Sequence, residues 1–171
     1  MGYAGGKEDH PTYRRIGDHT ETVQVDFDPG IISFEQLLDI FWESHRPYRQ
    51  SFSWQYRNVV FFHDDGQRLA AETSKTAIEQ KTGKPVKTDI APLGTFTLAE
   101  DYNQKYLLKH HPLKQEITRI YPRHEDLVNS TAAARLNGYA GKNGTPEQLS
   151  REINTLGLTE YGRTLVKKLV Q

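Results

Sequence analysis

The 171-residue chain has no cysteine, which removes disulfides, thiolate metal sites and thiol nucleophiles together and leaves the redox compartment open. Net charge is also missing. Twenty-two Lys and Arg balance 22 Asp and Glu, so no global field draws the protein toward nucleic acid or an anionic surface. The nearest basic stretch, residues 105–114 with His110 and His111, is short and reads as a solvated helix end rather than a nucleic-acid footprint. No segment approaches the roughly 18 apolar residues of a membrane span. The N-terminus lacks the basic start and apolar run of a signal peptide. Met1-Gly2 fails as a myristoylation signal because Gly6 stands where Ser or Thr is needed. The sequons Asn129-Ser130-Thr131 and Asn143-Gly144-Thr145 read as a helix segment and a turn. The default expectation is a cytoplasmic monomer with no nucleic-acid or membrane partner.

What is present suits a globular chain with room for a sizeable core: 36% hydrophobic and 26% charged residues. Residues 22–27 alternate, with Val23, Val25 and Phe27 on one face, and predict a half-buried strand. Ser33 with Gln36 makes a capping box for a helix whose apolar stripe is Phe34, Leu37, Leu38 and Phe41, widened by Ile40 and Trp42. The run Val59-Val60-Phe61-Phe62 suits a strand buried on both faces. Asp64 and Asp65 open a long helix carrying Leu69, Ala70, Ala77 and Ile78, closed at Gly83. Val86, Thr88 and Ile90 alternate as a further strand, 96–98 adds a short one, and 99–109 looks helical.

Beyond Pro112 only helices are predicted: 113–121, 125–136, one starting at Thr145-Pro146 and ending at Gly157, and one opening at Thr159. The expected fold is α+β, a two-layer, ferredoxin-like split β-α-β core with a mixed sheet. Residues 1–111 form that core and 112–171 a helical extension packed on it. Gly138-Tyr139-Ala140-Gly141 echoes Gly2-Tyr3-Ala4-Gly5, by chance or by a shared turn geometry.

Three residues can handle a polar oxygen: Glu21 as a proton donor, Tyr13 and Tyr56 as hydrogen-bond donors. Singly they read as a solvated carboxylate, a loop ring and a core ring with its hydroxyl at the rim. They are accompanied by an ordered series. Gly2-Tyr3-Ala4-Gly5-Gly6, Pro11-Thr12-Tyr13, His19-x-Glu21, Asp28-Pro29 with Ile32-Ser33, Phe41-Trp42-x-x-His45 and Gln55-Tyr56-Arg57 lead to Ala99-Glu100-Asp101-Tyr102 and Gln104-Lys105-Tyr106. Over about residues 1–109 this series resembles the peptide methionine sulfoxide reductase A family, and the helical remainder resembles the extension of longer eukaryotic members.

The resemblance implies that Glu21 protonates the oxygen of methionine sulfoxide while Tyr13 and Tyr56 hold it. In the family a cysteine within Gly-Cys-Phe-Trp attacks sulfur, giving methionine and a sulfenic acid. A resolving cysteine or external thiol then forms a disulfide, which thioredoxin usually reduces. No bound cofactor or metal is implied, and the partners are oxidised protein or free methionine sulfoxide and thioredoxin. This chain departs from the pattern in lacking Gly-Cys-Phe-Trp and any resolving cysteine. Ser51 stands near the place of the family's active-site Asp, and Asn103 near that of a His.

No Ser or Thr substitutes for the thiolate, because a hydroxyl is a poor nucleophile toward sulfur. The chain as written is therefore expected to be inactive, an N-terminally incomplete family member whose cysteine lies upstream of Met1. The alternative is a non-catalytic relative acting as a binding or interaction module. A metal hydrolase built on His10, His19 and His45 lacks the H-E-x-x-H spacing and is the weakest reading.

Overall fold

The computed structural model describes residues 1–171 and divides them into two compact units, Met1–Ala99 and Glu100–Gln171. The N-terminal unit is mixed α+β. Its first sheet is antiparallel: strand β1 (Gly2–Ala4) lies between β2 (Thr20–Thr22) and a later strand, Phe96–Leu98. Gly2 faces Thr22, Tyr3 faces Glu21 and Ala4 faces Thr20, so β1 fixes the height of the acid-bearing strand. All three β1 residues are buried.

Helix α1 (Phe34–Glu43) starts as expected, with both arms of the Ser33–Gln36 capping box formed. It buries Leu38 and Trp42, while Ile40 is left exposed. Strand β3 (Val59–Phe62), helix α2 (Asp65–Thr82) and strand β4 (Asp89–Pro92) make one parallel β-α-β unit, Val59 opposite Asp89. Asp64 caps α2 by accepting from the Gln67 amide, and Gly83 ends it in the left-handed region, φ 67°. The core here is Leu38, Trp42, Val60, Ala71 and Val86. Leu69 and Ala77 face outward instead, and Val60 alone of β3 is fully buried. Strand β5 (Phe96–Leu98) closes the unit.

The expected strand over 22–27 is absent past Thr22, and Val23 and Val25 are exposed. The ladder explains this: β2 pairs only with β1, whose register ends at Gly2↔Thr22. An extended segment without a hydrogen-bonding neighbour does not persist as sheet. The expected single mixed sheet likewise resolves into an antiparallel three-stranded sheet and a parallel pair.

The predicted helix 99–109 resolves, within the C-terminal unit, into a 3-10 turn (Asp101–Asn103) and α3 (Tyr106–Lys109), because Lys105 between them has φ 52°. Helices α4 (Lys114–Ile120), α5 (His124–Asn129), α6 (Thr131–Ala140), α7 (Pro146–Glu152) and α8 (Glu160–Lys167) follow. The predicted helix 125–136 breaks at Ser130, whose side chain accepts from the Ala133 amide and starts α6 afresh. Leu108, Leu113, Ile117, Leu136, Tyr139, Leu156 and Val166 belong to one core. The second Gly-Tyr-Ala-Gly lies at the end of α6 while the first is a strand and turn, so the echo carries no shared geometry.

Glu116 fastens α8. Its carboxylate accepts from the Thr159 amide and hydroxyl, both at 2.8 Å, at the start of that helix. Burial pushes its pKa up, but the two Thr159 donors and Arg119 outweigh it and leave the group below its ordinary value. A depressed carboxyl stabilises the fold above its unfolded-state pKa and loses that contribution as pH falls through the folded one. Glu116→Gln is therefore expected to lower stability at neutral pH and to flatten the acid limb of the helical unit's unfolding curve. Circular dichroism against pH measures this.

Candidate functional site

The turn after β1 needs both of its glycines. Gly5 has φ 80°, and a Cβ there would meet the Phe61 ring at 2.6 Å and Arg57 Nη2 at 2.8 Å. At Gly6 a Cβ would stand 2.4 Å from Asp18 Oδ1 and 2.7 Å from the His19 ring. This closeness serves a backbone clip. The His19 ring, only 2% exposed, accepts from the Gly6 amide through Nδ1 at 3.3 Å. Its Nε2 therefore holds the proton and donates to the Glu8 carbonyl at 2.9 Å. Asp18 Oδ1 accepts from the Lys7 and Glu8 amides at 2.8 and 3.2 Å. Those amides hold its carboxyl below the usual range. The segment 5–8 is thereby bound to the two residues that lead into β2.

Past the clip, Thr12 and Arg15 exchange backbone hydrogen bonds at 3.2 and 3.0 Å, leaving Tyr13 and Arg14 at the tip of a tight turn. Tyr13 is 47% exposed and Tyr56 52%. Their hydroxyls are hydrogen-bonded to each other. That bond, with desolvation and the nearby Glu21 charge, raises the Tyr56 pKa above its ordinary value. Tyr56 lies in a 3-10 turn (Trp54–Tyr56) docked against β2. Thr20 Oγ1 donates to Trp54 O at 3.1 Å and accepts from Arg57 Nε at 2.9 Å. Arg57 in turn stacks on Trp54, 4.2 Å from the ring centre. Between these anchors Gln55 Nε2 donates to Glu21 Oε1 at 2.6 Å. Tyr13, Glu21 and Tyr56, the three residues singled out in the sequence, thus meet with Gln55 as a fourth.

The peptide methionine sulfoxide reductase family model matches residues 1–136. The chain belongs to this family. It is 41% identical over 166 residues to a peptide methionine sulfoxide reductase of Drosophila melanogaster, covering 95% of this chain and 66% of that protein. It is 42% identical over 162 residues to peptide methionine sulfoxide reductase A5 of Arabidopsis thaliana, covering 90% and 62%. The chain thus spans under two thirds of the length of these relatives. Among solved structures, reduced Mxr1 from Saccharomyces cerevisiae superposes with a TM-score of 0.59 at 30% identity, over 65% of this chain and 69% of that one.

Other parts of the methionine sulfoxide reductase pattern have structural partners. His45 donates from Nδ1 to Phe41 O at 2.7 Å, so Nε2 accepts from Thr88 Oγ1 at 2.8 Å. The Trp42 indole donates to Ser74 Oγ at 3.0 Å. Phe41-Trp42-x-x-His45 therefore joins α1 to the β-α-β unit. With both ring nitrogens of His19 and His45 committed to protein partners, the metal-hydrolase reading fails. Ser51 Oγ accepts from the Ser53 amide at 3.1 Å, a turn contact. Asn103 Nδ2 donates to Glu100 Oε2 at 3.3 Å within the helical unit. A cavity of about 590 Å³ is lined by Arg57, Glu72, Lys75 and Asp89 with four other residues, none of them Tyr13, Glu21 or Tyr56. Its charges are engaged locally: Arg57 with Asp89, Glu72 with Arg68, and Lys75 with Thr88 O.

Sequence reasoning missed three contributors. Asp18 was given no task, and His19, though part of the His19-x-Glu21 motif, was given a role only as a metal ligand. Gln55 stood inside a motif without a task of its own.

Proposed function

We propose that this chain supplies the oxygen-handling half of a peptide-methionine (S)-S-oxide reductase site, acting on methionine sulfoxide in oxidised proteins. One observation carries the reading: the meeting of Tyr13, Tyr56 and Glu21, drawn from three separate segments. A sulfoxide oxygen bears much negative charge, and donors fixed around it stabilise the transition state. The Tyr13–Tyr56 hydrogen bond gives way to one bond from each hydroxyl to the incoming oxygen. An ordinary phenol is protonated at neutral pH, so Tyr56 remains a donor after that exchange. Glu21 passes a proton to the oxygen as the S–O bond breaks.

The nucleophile is a thiolate from outside these 171 residues, which contain no cysteine. It attacks sulfur, the thioether departs, and the oxygen ends as a sulfenic acid on the attacking sulfur. A second thiol, from thioredoxin or a small thiol, converts this to a disulfide and water. In sum, one sulfoxide and two thiols give one thioether, one disulfide and one water. No bound cofactor enters.

The chain by itself is expected to show no dithiothreitol-dependent reduction of N-acetylmethionine sulfoxide. Measurable thioether by chromatography would contradict this. It is nonetheless expected to bind the sulfoxide in preference to the thioether, with a change in Trp54 fluorescence. Tyr13→Phe with Tyr56→Phe should cut that preference roughly tenfold or more, since each loses a donor to a charged acceptor. The lack of cysteine favours a second reading, an interaction module without reaction. Equal binding of sulfoxide and thioether, unmoved by the double change, would favour that module.

A further inference from the structure

We propose that Gln55 is the positioning residue for Glu21, fixing which carboxyl oxygen carries the transferred proton. This rests on the reading of Glu21 as the acid. Gln55 Nε2 lies 2.6 Å from Glu21 Oε1, and an amide N–H can only donate. A proton on Oε1 would confront that donor, so the proton resides on Oε2, and Oε2 is the oxygen presented to substrate.

The direction is set by a rigid mount. Gln55 is the middle residue of the 3-10 turn, which closes through the Tyr56 amide on Ser53 O at 3.2 Å. Thr20, the neighbour of Glu21 and only 1% exposed, bonds Trp54 O and Arg57 Nε, the residues that flank the Gln55-Tyr56 pair. Acid and amide therefore move as one piece, and Tyr56 of the same turn keeps the oxygen site at constant distance. Held this way the carboxyl loses its rotational freedom before substrate arrives, which is the entropic advantage of preorganisation.

Three single variants of the whole chain test the assignment by sulfoxide-over-thioether binding preference and by thermal stability. Gln55→Met keeps the length of the side chain and removes the donor. It should lose the preference roughly tenfold while leaving thermal unfolding within a few degrees. Gln55→Glu sets a second carboxyl against Glu21. Ionised, the two repel; with one proton between them the donor is restored. Its preference should be absent at neutral pH and return on acidification, a profile that a merely structural role would not produce. The other groups beside this pair are the Tyr13 and Tyr56 hydroxyls, with the Arg57 guanidinium held on the neighbouring Thr20 hydroxyl. Glu21→Gln separates the two readings. With a thiolate nucleophile supplied, a wild-type single-turnover rate of sulfoxide reduction in Glu21→Gln overturns the acid assignment itself. Loss there with full preference in Gln55→Met, or a pH-independent Gln55→Glu, overturns the positioning role alone.

Discussion

Gly5→Ala is expected to destabilise the N-terminal unit by about 2–5 kcal/mol. A left-handed residue with a Cβ costs roughly 1–2 kcal/mol, and Gly5 sits at φ 80°. The added carbon also lands 2.6 Å from the Phe61 ring and 2.8 Å from Arg57 Nη2. Overpacking of that kind typically costs about 1–3 kcal/mol. Neither neighbour can yield freely, because Arg57 is held by Thr20 and Trp54. The strain therefore passes to the mount of Gln55 and Tyr56, and sulfoxide binding falls with stability. Both tryptophans, Trp42 and Trp54, belong to this unit, so fluorescence-detected denaturation reads the loss there. A change under 1 kcal/mol would show that the turn relaxes without cost.

With a thiolate nucleophile present, Glu21→Gln is expected to lower kcat for sulfoxide reduction by roughly 10²–10⁴, the usual contribution of a positioned general acid. The amide keeps the size of the side chain and can still face Gln55 and Tyr56, so KM should change little. What it cannot do is release a proton, and an unprotonated oxygen is a poor leaving group. Single-turnover measurement isolates the step, since reduction by the second thiol lies beyond it. A fall in kcat/KM carried entirely by KM would make Glu21 a binding residue.

The fold was legible where local chemistry decides it. Ser33 with Gln36, Asp64, Gly83, Thr145-Pro146 and Thr159 all stand at the helix ends they signal, because a cap satisfies amides within one turn. It was illegible where a distant partner decides. Residues 23–27 have the alternation of a strand, yet no neighbouring strand pairs with them past Thr22. Helix 125–136 looked continuous because Ser130 is an acceptable interior residue until its side chain turns to cap Ala133.

The site divides the same way. Tyr13, Glu21 and Tyr56 could be named from the ordered series of motifs. The partner of Glu21 could not, because Gln55 lies 34 residues away in the chain. The His19 clip escaped for a related reason: both of its contacts are to backbone atoms, which leave no mark on residue identity.

The central claim is that Tyr13, Tyr56 and Glu21 hold and protonate a sulfoxide oxygen. The most direct test is NMR titration of the isotopically labelled chain with N-acetylmethionine-(S)-sulfoxide, beside the corresponding thioether. The sulfoxide is predicted to shift the resonances of Tyr13, Glu21, Gln55 and Tyr56 together with saturating dependence, and the thioether to leave them in place. Shifts centred elsewhere, or the same shifts from both ligands, would contradict it.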